Sequence, residues 1–219
     1  MICKAPTLMD PIQVALMNEE CILVDRLDNQ IGCASKKECH LMTNIKQGML
    51  HRAFSVFLLN NEGKLLLQRR SKHKITFPLC WTNTCCSHPL NIEQELAEGS
   101  GVKRAAIRKL NHELGISEDA LKESDFKFIT KILYEAASDG VWGEHEVDHI
   151  LLLKGNYPLH INENEVESVK YLSMDELKTF VKEEDSSLTP WFRLIAKKLL
   201  FEWWSNDFEY TDSLIHHLE

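Results

Sequence analysis

The sequence predicts a mixed α/β domain, one β-sheet with both parallel and antiparallel neighbours packed between helices. Three observations carry this. Strand-length apolar runs are joined in places by hairpin-sized turns, yet alternate irregularly with helical stretches that imply crossovers. A central amphipathic helix and two further helix starts are legible. No Gly-x-Gly-x-x-Gly or Walker sequence occurs, which disfavours a purely parallel nucleotide-binding sheet.

In order along the chain, a polar lead over about residues 1–20 precedes CILVD (Cys21 to Asp25), a short apolar strand closed by the Asp28-Asn29-Gln30 turn and followed by a second run from Ile31 to Ala34. His51 to Leu59 predicts a strand. The Asn60 to Gly63 turn then makes Lys64 to Arg70 its expected hairpin partner. From Gly101 to Leu114 the apolar residues Val102, Ala105, Ala106, Leu110 and Leu114 recur at helical spacing, with Ser100 placed to cap the start and Gly115 to stop the helix. Phe126 to Tyr134 and Glu146 to Leu153 predict strands around a Ser138-Asp139-Gly140 turn. Ser173 caps a helix reaching Glu183, and Thr189-Pro190 opens a last helix through Trp204.

Composition narrows the function classes. With 219 residues, 44% hydrophobic and 26% charged, the chain suits one globular domain, residues 1–219, and no disordered or fibrous class. A net charge of −8 is the wrong sign for coating nucleic-acid phosphates, but leaves room for a local phosphate site. No apolar run is long enough to span a membrane. Seven cysteines, an odd number, do not resemble a secreted disulfide framework. With neither a leader nor the common peroxisomal or retention endings in evidence, a cytosolic protein is expected, a peroxisomal one needing another route.

Chemistry concentrates in two segments. In WTNTCCSHP, Trp81 to Pro89, an extended backbone puts Cys86 and His88 on one face and Cys85 on the other; the bland alternative is a buried cysteine pair. In WGEHEVDHI, Trp142 to Ile150, Glu144, Glu146 and Asp148 share a strand face, which calls for water, cations or a metal. A solvated edge strand is the alternative, and the following Ile150 to Leu153 argues against it. With His40, His51 and His88, the two glutamates make a donor set suited to Mg²⁺, Mn²⁺ or Zn²⁺, although the spacing is no standard ligand motif. Arg69, Arg70, Lys72 and Lys74, and then Lys103, Arg104, Arg108 and Lys109, are either solvated faces or part of a diphosphate pocket. There Glu113 can hold a phosphate-bound Mg²⁺.

Taken together, CHLMTNIKQGMLHRAFSVFLLN, KLLLQRRSKHKITFPLCWTNTCCSHPL, GVKRAAIRKLNHELGI, YEAASDGVWGEHEVDHILL and LTPWFRLIA resemble the type I isopentenyl-diphosphate Δ-isomerase family of the Nudix superfamily. The Nudix box is eroded: Arg108, Leu110, Glu113, Gly115 and Ile116 fit, whereas Gln94, Ser100, Lys109 and His112 stand where a hydrolase carries Gly or Glu. The resemblance implies a Nudix-like mixed sheet between helices. It assigns proton transfer to Cys86 and Glu146, pocket aromatics to Tyr134 and Trp191, and substrate contacts to Lys36, Arg70, Lys74, the Ser87 backbone and Lys109. It also implies one divalent ion on His40, His51, His88, Glu144 and Glu146, and a second, Mg²⁺, on Glu113 with the diphosphate.

The implied reaction moves a double bond by adding one proton and removing another, so an acid and a base must flank a small-molecule diphosphate. An indole face then stabilises the developing cation without trapping it. A monomer is expected. The alternatives are a Nudix diphosphohydrolase, for which the lost carboxylates are a poor fit, and a non-catalytic metal-binding or thiol-redox module.

Overall fold

The computed structural model describes residues 9–218; residues 1–8, Cys3 among them, and residue 219 lie outside the described residues. The elements run α1 (Pro11–Leu16), β1 (Glu20–Val24), β2 (Gln30–Ser35), α2 (Lys36–His40), α3 (Met42–Ile45), β3 (His51–Leu59), β4 (Leu65–Arg70), β5 (Trp81–Thr82), β6 (Cys85–Ser87), α4 (Glu93–Leu96), α5 (Gly101–Leu114), β7 (Phe126–Ala137), β8 (Gly143–Lys154), β9 (Val166–Leu172), α6 (Met174–Glu183), α7 (Pro190–Ile195), α8 (Phe201–Ser205) and β10 (Ile215–His217). Residues 196–200 continue α7 into α8 as a π-helical turn, so the expected last helix carries a bulge.

β3 is the hub of the sheet. Along one edge it pairs in parallel with β8, from His51 opposite Glu146 to Leu59 opposite Lys154. Its other partners are short and successive: β1 at His51, β6 from Phe54 to Val56, and β4 only at Leu59. The expected β3–β4 hairpin is therefore closed at its turn alone. β4 instead runs antiparallel to β9, from Leu65 opposite Leu172 to Arg70 opposite Val166. A turn sets where the chain reverses, but the partner with the matching apolar face takes the rest of the ladder. β7 and β8 form a long hairpin, and the main path is β10-β7-β8-β3-β1-β2, so the carboxylate strand β8 is internal and the solvated-edge alternative is excluded.

Alternation along β3 and β8 divides the core. Phe57, Leu59, Ile150 and Leu152 face one side and pack with Ile132, Tyr134, Trp191, Phe192 and Ile195. Phe54, Val56, Leu58, Leu151 and Leu153 face the other and pack with Ala105, Ala106, Leu110 and Leu114 of α5. The sheet thus lies between α5 and the α6–α8 layer, as the sequence predicts. Gly115 ends α5 in the left-handed conformation at φ 65°, as expected, but Ser100 makes no side-chain cap. α1 to α3, β9 and β10 were not expected from the sequence.

Candidate active site

One cavity, with about 40 Å³ of open space, is lined by Lys36, His40, Arg70, Lys74, Cys86, Ser87, His88, Tyr134, Glu144, Glu146 and Trp191, and by Gln13, Met17, Ile75 and Thr76. Its position follows from the strands. Parallel pairing sets His51 beside Glu146, and the β7–β8 hairpin sets Tyr134 on the other side of that same residue. Antiparallel pairing of β6 brings Cys86 opposite Ser55. The first residues of β3 and the early part of β8 carry polar side chains on the face whose later positions are core, so the cavity sits where that apolar layer ends.

α2 supplies two more groups. Ser35 and Glu38 form a reciprocal capping box that fixes this single turn. Lys36 and His40, four residues apart, then emerge on the same helix face. The Ser-Lys-Lys-Glu pattern is the signal by which this helix, not expected from the sequence, could have been found. At the start of β8, a Cβ on Gly143 would run into the Ala136 carbonyl and the Met42 sulfur, so only glycine lets α3 lie against the strand that carries Glu144.

His40, His51, His88, Glu144 and Glu146 are all buried, and one potential ligand atom of each lies within 4.8 Å of every other. The three imidazole centroids are 4.8 to 4.9 Å apart. His40 Nε2, both ring nitrogens of His51 and Glu144 Oε2 make no hydrogen bond, although His40 Nε2 approaches Glu144 Oε2 at 2.7 Å. Buried polar atoms without partners are costly, and a set of five donor residues this close together, several of their atoms unpartnered, fits a cation. The tautomer agrees: His40 Nδ1 donates to the Lys36 carbonyl at 2.6 Å, leaving the Nε2 lone pair directed inward. Burial lowers the His51 and His88 pKa values, which favours the neutral, ligating imidazole.

Two groups on the cavity differ in protonation. Burial pushes the Cys86 thiol up to about 12, against the Arg70 charge, whose Nη1 is 4.0 Å from the sulfur, so Cys86 keeps its proton at neutral pH. Burial acts to raise the Glu146 carboxyl as well, but His51, Tyr134 and His40 outweigh it and hold it below its ordinary value. Glu146 accepts from Tyr134 Oη at 2.5 Å and from His88 Nε2 at 2.7 Å. Burial, with the Glu146 charge beside it, keeps the Tyr134 phenol protonated. Cys85 lies in the α5 core while Cys86 reaches the cavity, so the adjacent thiols point to opposite faces, as their spacing predicts.

Trp191 is 3% exposed and is fixed from several sides. Its Nε1 donates to Asn83 Oδ1 at 3.1 Å, while Asn83 Nδ2 donates to the Val56 and Cys85 carbonyls. Phe77 packs edge-on at 5.3 Å, Tyr134 lies 5.9 Å away, and the Arg70 guanidinium stands 5.7 Å over the ring. Arg70 also donates to the Thr76 and Phe77 carbonyls, holding a loop in which Phe77 and Leu79 adopt positive φ.

Among the sequence-predicted residues, Lys109 and Glu113 do not line the cavity. They form a buried pair on α5 at 3.4 Å, where Gln68 Nε2 also donates to Glu113 at 2.9 Å. Asp148, third on its strand face, is turned away and accepts from Ser55 Oγ at 2.7 Å. Burial and the neighbouring Glu146 charge raise its pKa well above the ordinary range. Three residues near the cavity, Gln13, Asn83 and Glu165, were not expected; Asn83 stands inside the very segment singled out, but a neutral amide carries no charge signal.

The chain matches the NUDIX domain family over residues 49–192. It is 54% identical over 203 residues to isopentenyl-diphosphate Delta-isomerase 1 of Mesocricetus auratus, covering 90% of this chain and 89% of that protein. It is 55% identical to the isopentenyl-diphosphate Delta-isomerase of Dictyostelium discoideum, covering 89% and 85%, and 49% identical to that of Schizosaccharomyces pombe, covering 94% of both chains. Among solved structures, DR0079 from Deinococcus radiodurans superposes with a TM-score of 0.56 at 18% identity, over 83% of this chain and all of that one, a likeness of fold. The chain belongs to the isopentenyl-diphosphate Δ-isomerase family, within the Nudix superfamily.

Proposed function

We propose that this member of the isopentenyl-diphosphate Δ-isomerase family converts isopentenyl diphosphate to dimethylallyl diphosphate, supplying isoprenoid and sterol biosynthesis. One observation carries the reading: a thiol that keeps its proton and a carboxylate that has lost its own face one cavity, beside an indole and a cluster of cations. Isomerisation needs a donor and an acceptor at neighbouring carbons. A diphosphohydrolase would need the carboxylate array on α5, where Lys109 instead pairs with Glu113.

The cationic residues Lys36, Arg70 and Lys74 bind the diphosphate together with the Ser87 backbone, and the field of Lys109 reinforces them from behind. With the anionic end anchored, the alkene reaches the other end of the cavity, between Cys86 and Glu146. One of that pair delivers a proton to the terminal methylene and the charge moves to the tertiary carbon. The other member of the pair then takes a proton from the neighbouring carbon, and the double bond forms there. Tyr134, which donates to Glu146, fixes the angle of the carboxylate. Trp191 presents a π face that stabilises the cation but cannot add to it.

A divalent ion, Mg²⁺, Mn²⁺ or Zn²⁺, held by His40, His51, His88, Glu144 and Glu146 would orient Glu146 and tune its basicity, while a Mg²⁺ on Glu113 would neutralise diphosphate charge only once that carboxylate leaves its Lys109 and Gln68 partners behind the cavity wall. No described helix is long and apolar enough to cross a membrane. We take the working form to be a single-domain cytosolic monomer that acts on a small diphosphate and not on nucleic acid.

Incubation with isopentenyl diphosphate and Mg²⁺ in D₂O, followed by NMR, tests the reading. Loss of the terminal methylene signal with deuterium entering the new methyl group is expected, with no phosphate released. Phosphate release without the allylic isomer would replace it with hydrolysis.

A further inference from the structure

We infer that Glu165 is a positioning residue of the diphosphate end: it keeps Lys74 charged and aimed into the cavity, and ties that lysine to α1. The inference rests on the proposed function, in which Lys74 contacts the diphosphate. Glu165 is itself 2% exposed and ends the loop between β8 and β9. Its Oε2 accepts from Lys74 Nζ at 2.5 Å and its Oε1 from Gln13 Nε2 at 2.9 Å. The backbone holds it on both sides, with Glu165 N–H donating to the Asn162 carbonyl and Ser71 N–H to the Glu165 carbonyl. Gln13, 4% exposed and part of the cavity wall, also donates to Asn164 Oδ1 at 2.7 Å. The carboxylate therefore stands behind two wall residues at once.

The electrostatics explain why a carboxylate is needed there. Lys74, its side chain 10% exposed, has Arg70 at the end of β4, Lys36 on α2, and Lys109 and His112 on α5 around it, with Glu165 as its acidic neighbour. On the flanking side, His73 lies 3.6 Å from Asp10 at the start of α1. Burial lowers the Lys74 pKa, Glu165 opposes that, and the surrounding cations push it down again. Burial acts to raise Glu165, but Lys74, Lys109 and Lys36 hold it far below its ordinary value, so it stays ionised. A lysine that lost its proton would forfeit the charge by which it recognises a diphosphate.

The test is steady-state isomerisation of isopentenyl diphosphate across pH with wild type, Glu165→Gln, Glu165→Asp and Gln13→Ala. Glu165→Gln should raise KM on the order of tenfold, the size of one charge-assisted hydrogen bond, and change kcat much less. Its alkaline limb of kcat/KM should move to lower pH, because Lys74 then deprotonates earlier; Glu165→Asp should restore the limb. Gln13→Ala should raise KM and leave the limb where it is. A folded Glu165→Gln with the wild-type KM and pH profile overturns the inference. Should that variant not fold, Lys74→Met is compared with Lys74→Met/Glu165→Gln. Equal KM values support action through Lys74, and a further loss on the order of tenfold overturns it. Failure of the wild-type enzyme to isomerise would overturn the proposed function itself, a distinct result.

Discussion

Two polar clusters, each built around a buried carboxylate, occupy opposite faces of the same two strands, β3 and β8. On one face Asp28, from the turn after β1, accepts from Arg52 Nε at 2.7 Å and meets Lys131 Nζ and His149 Nε2, each at 2.7 Å; Arg52 Nη2 adds a bond to the Asp28 carbonyl. On the other face, one residue away along each strand, stand His51 and the Glu146–Asp148 row. The first cluster is closed, a carboxylate surrounded by its own cations. The second is open, with ring nitrogens and a carboxylate oxygen that make no hydrogen bond in the protein. Burial and charged residues are common to both. What separates a stabilising network from a site is whether its polar atoms are satisfied from within.

Five substitutions can break or sharpen that contrast. The largest effect is expected at Cys86, the proton-bearing group beside the open cluster. Cys86→Ala should cost turnover roughly 10² to 10⁴-fold, whereas Cys85→Ala, in the α5 core, should keep most activity while lowering stability. The reverse ranking in turnover assays would mean the wrong thiol has been assigned.

Asp28→Ala should act only on stability, by about 3 to 5 kcal/mol, because it leaves Arg52, Lys131 and His149 without their carboxylate. Urea denaturation and metal analysis of the folded fraction check this, and loss of metal would erase the distinction between the clusters. The pH dependence has a definite sign. Burial acts to raise Asp28, but His149, Lys131 and Arg52 hold it well below its ordinary value. Its stabilisation is therefore complete above the unfolded carboxyl pKa of about 4 and is lost as the pH falls below that toward the folded value.

His88→Gln should behave in the opposite way, lowering metal affinity on the order of 10²-fold with activity following. Retention of full metal by elemental analysis would remove His88 from the ligand set. Trp191→Leu keeps an apolar wall but removes the π face, an interaction of roughly 2 kcal/mol when desolvated. It should lower kcat more than it raises KM. A variant that melts early yet turns over normally at low temperature would make Trp191 a core anchor for α7.

Much of this was legible because it is local. Gly115 ends α5, the alternation in TNTCCSHP separates Cys85 from Cys86, and the two segments rich in His and Glu stand out as chemistry without any knowledge of where they meet. The illegible parts depend on partners far away in the chain. β4 leaves β3 for β9 after one pair, and Glu165 gains its importance from Lys74, on another segment, and from Gln13, in a lead that reads as merely polar.

The sequence by itself determined which residues can do chemistry and which face of its own segment each one takes, because residue type and a two- or 3.6-residue period are fixed along the chain. The eroded box and the donor types likewise belong to the sequence. Only the tertiary structure decided that His51 lies beside Glu146, that Tyr134 lies on the other side, and that His40 on α2 and His88 after β6 complete the group. Strand register is set by long-range pairing, and a slip of one residue would carry Glu146 to the face of Asp28 and His149 to the face of the histidines.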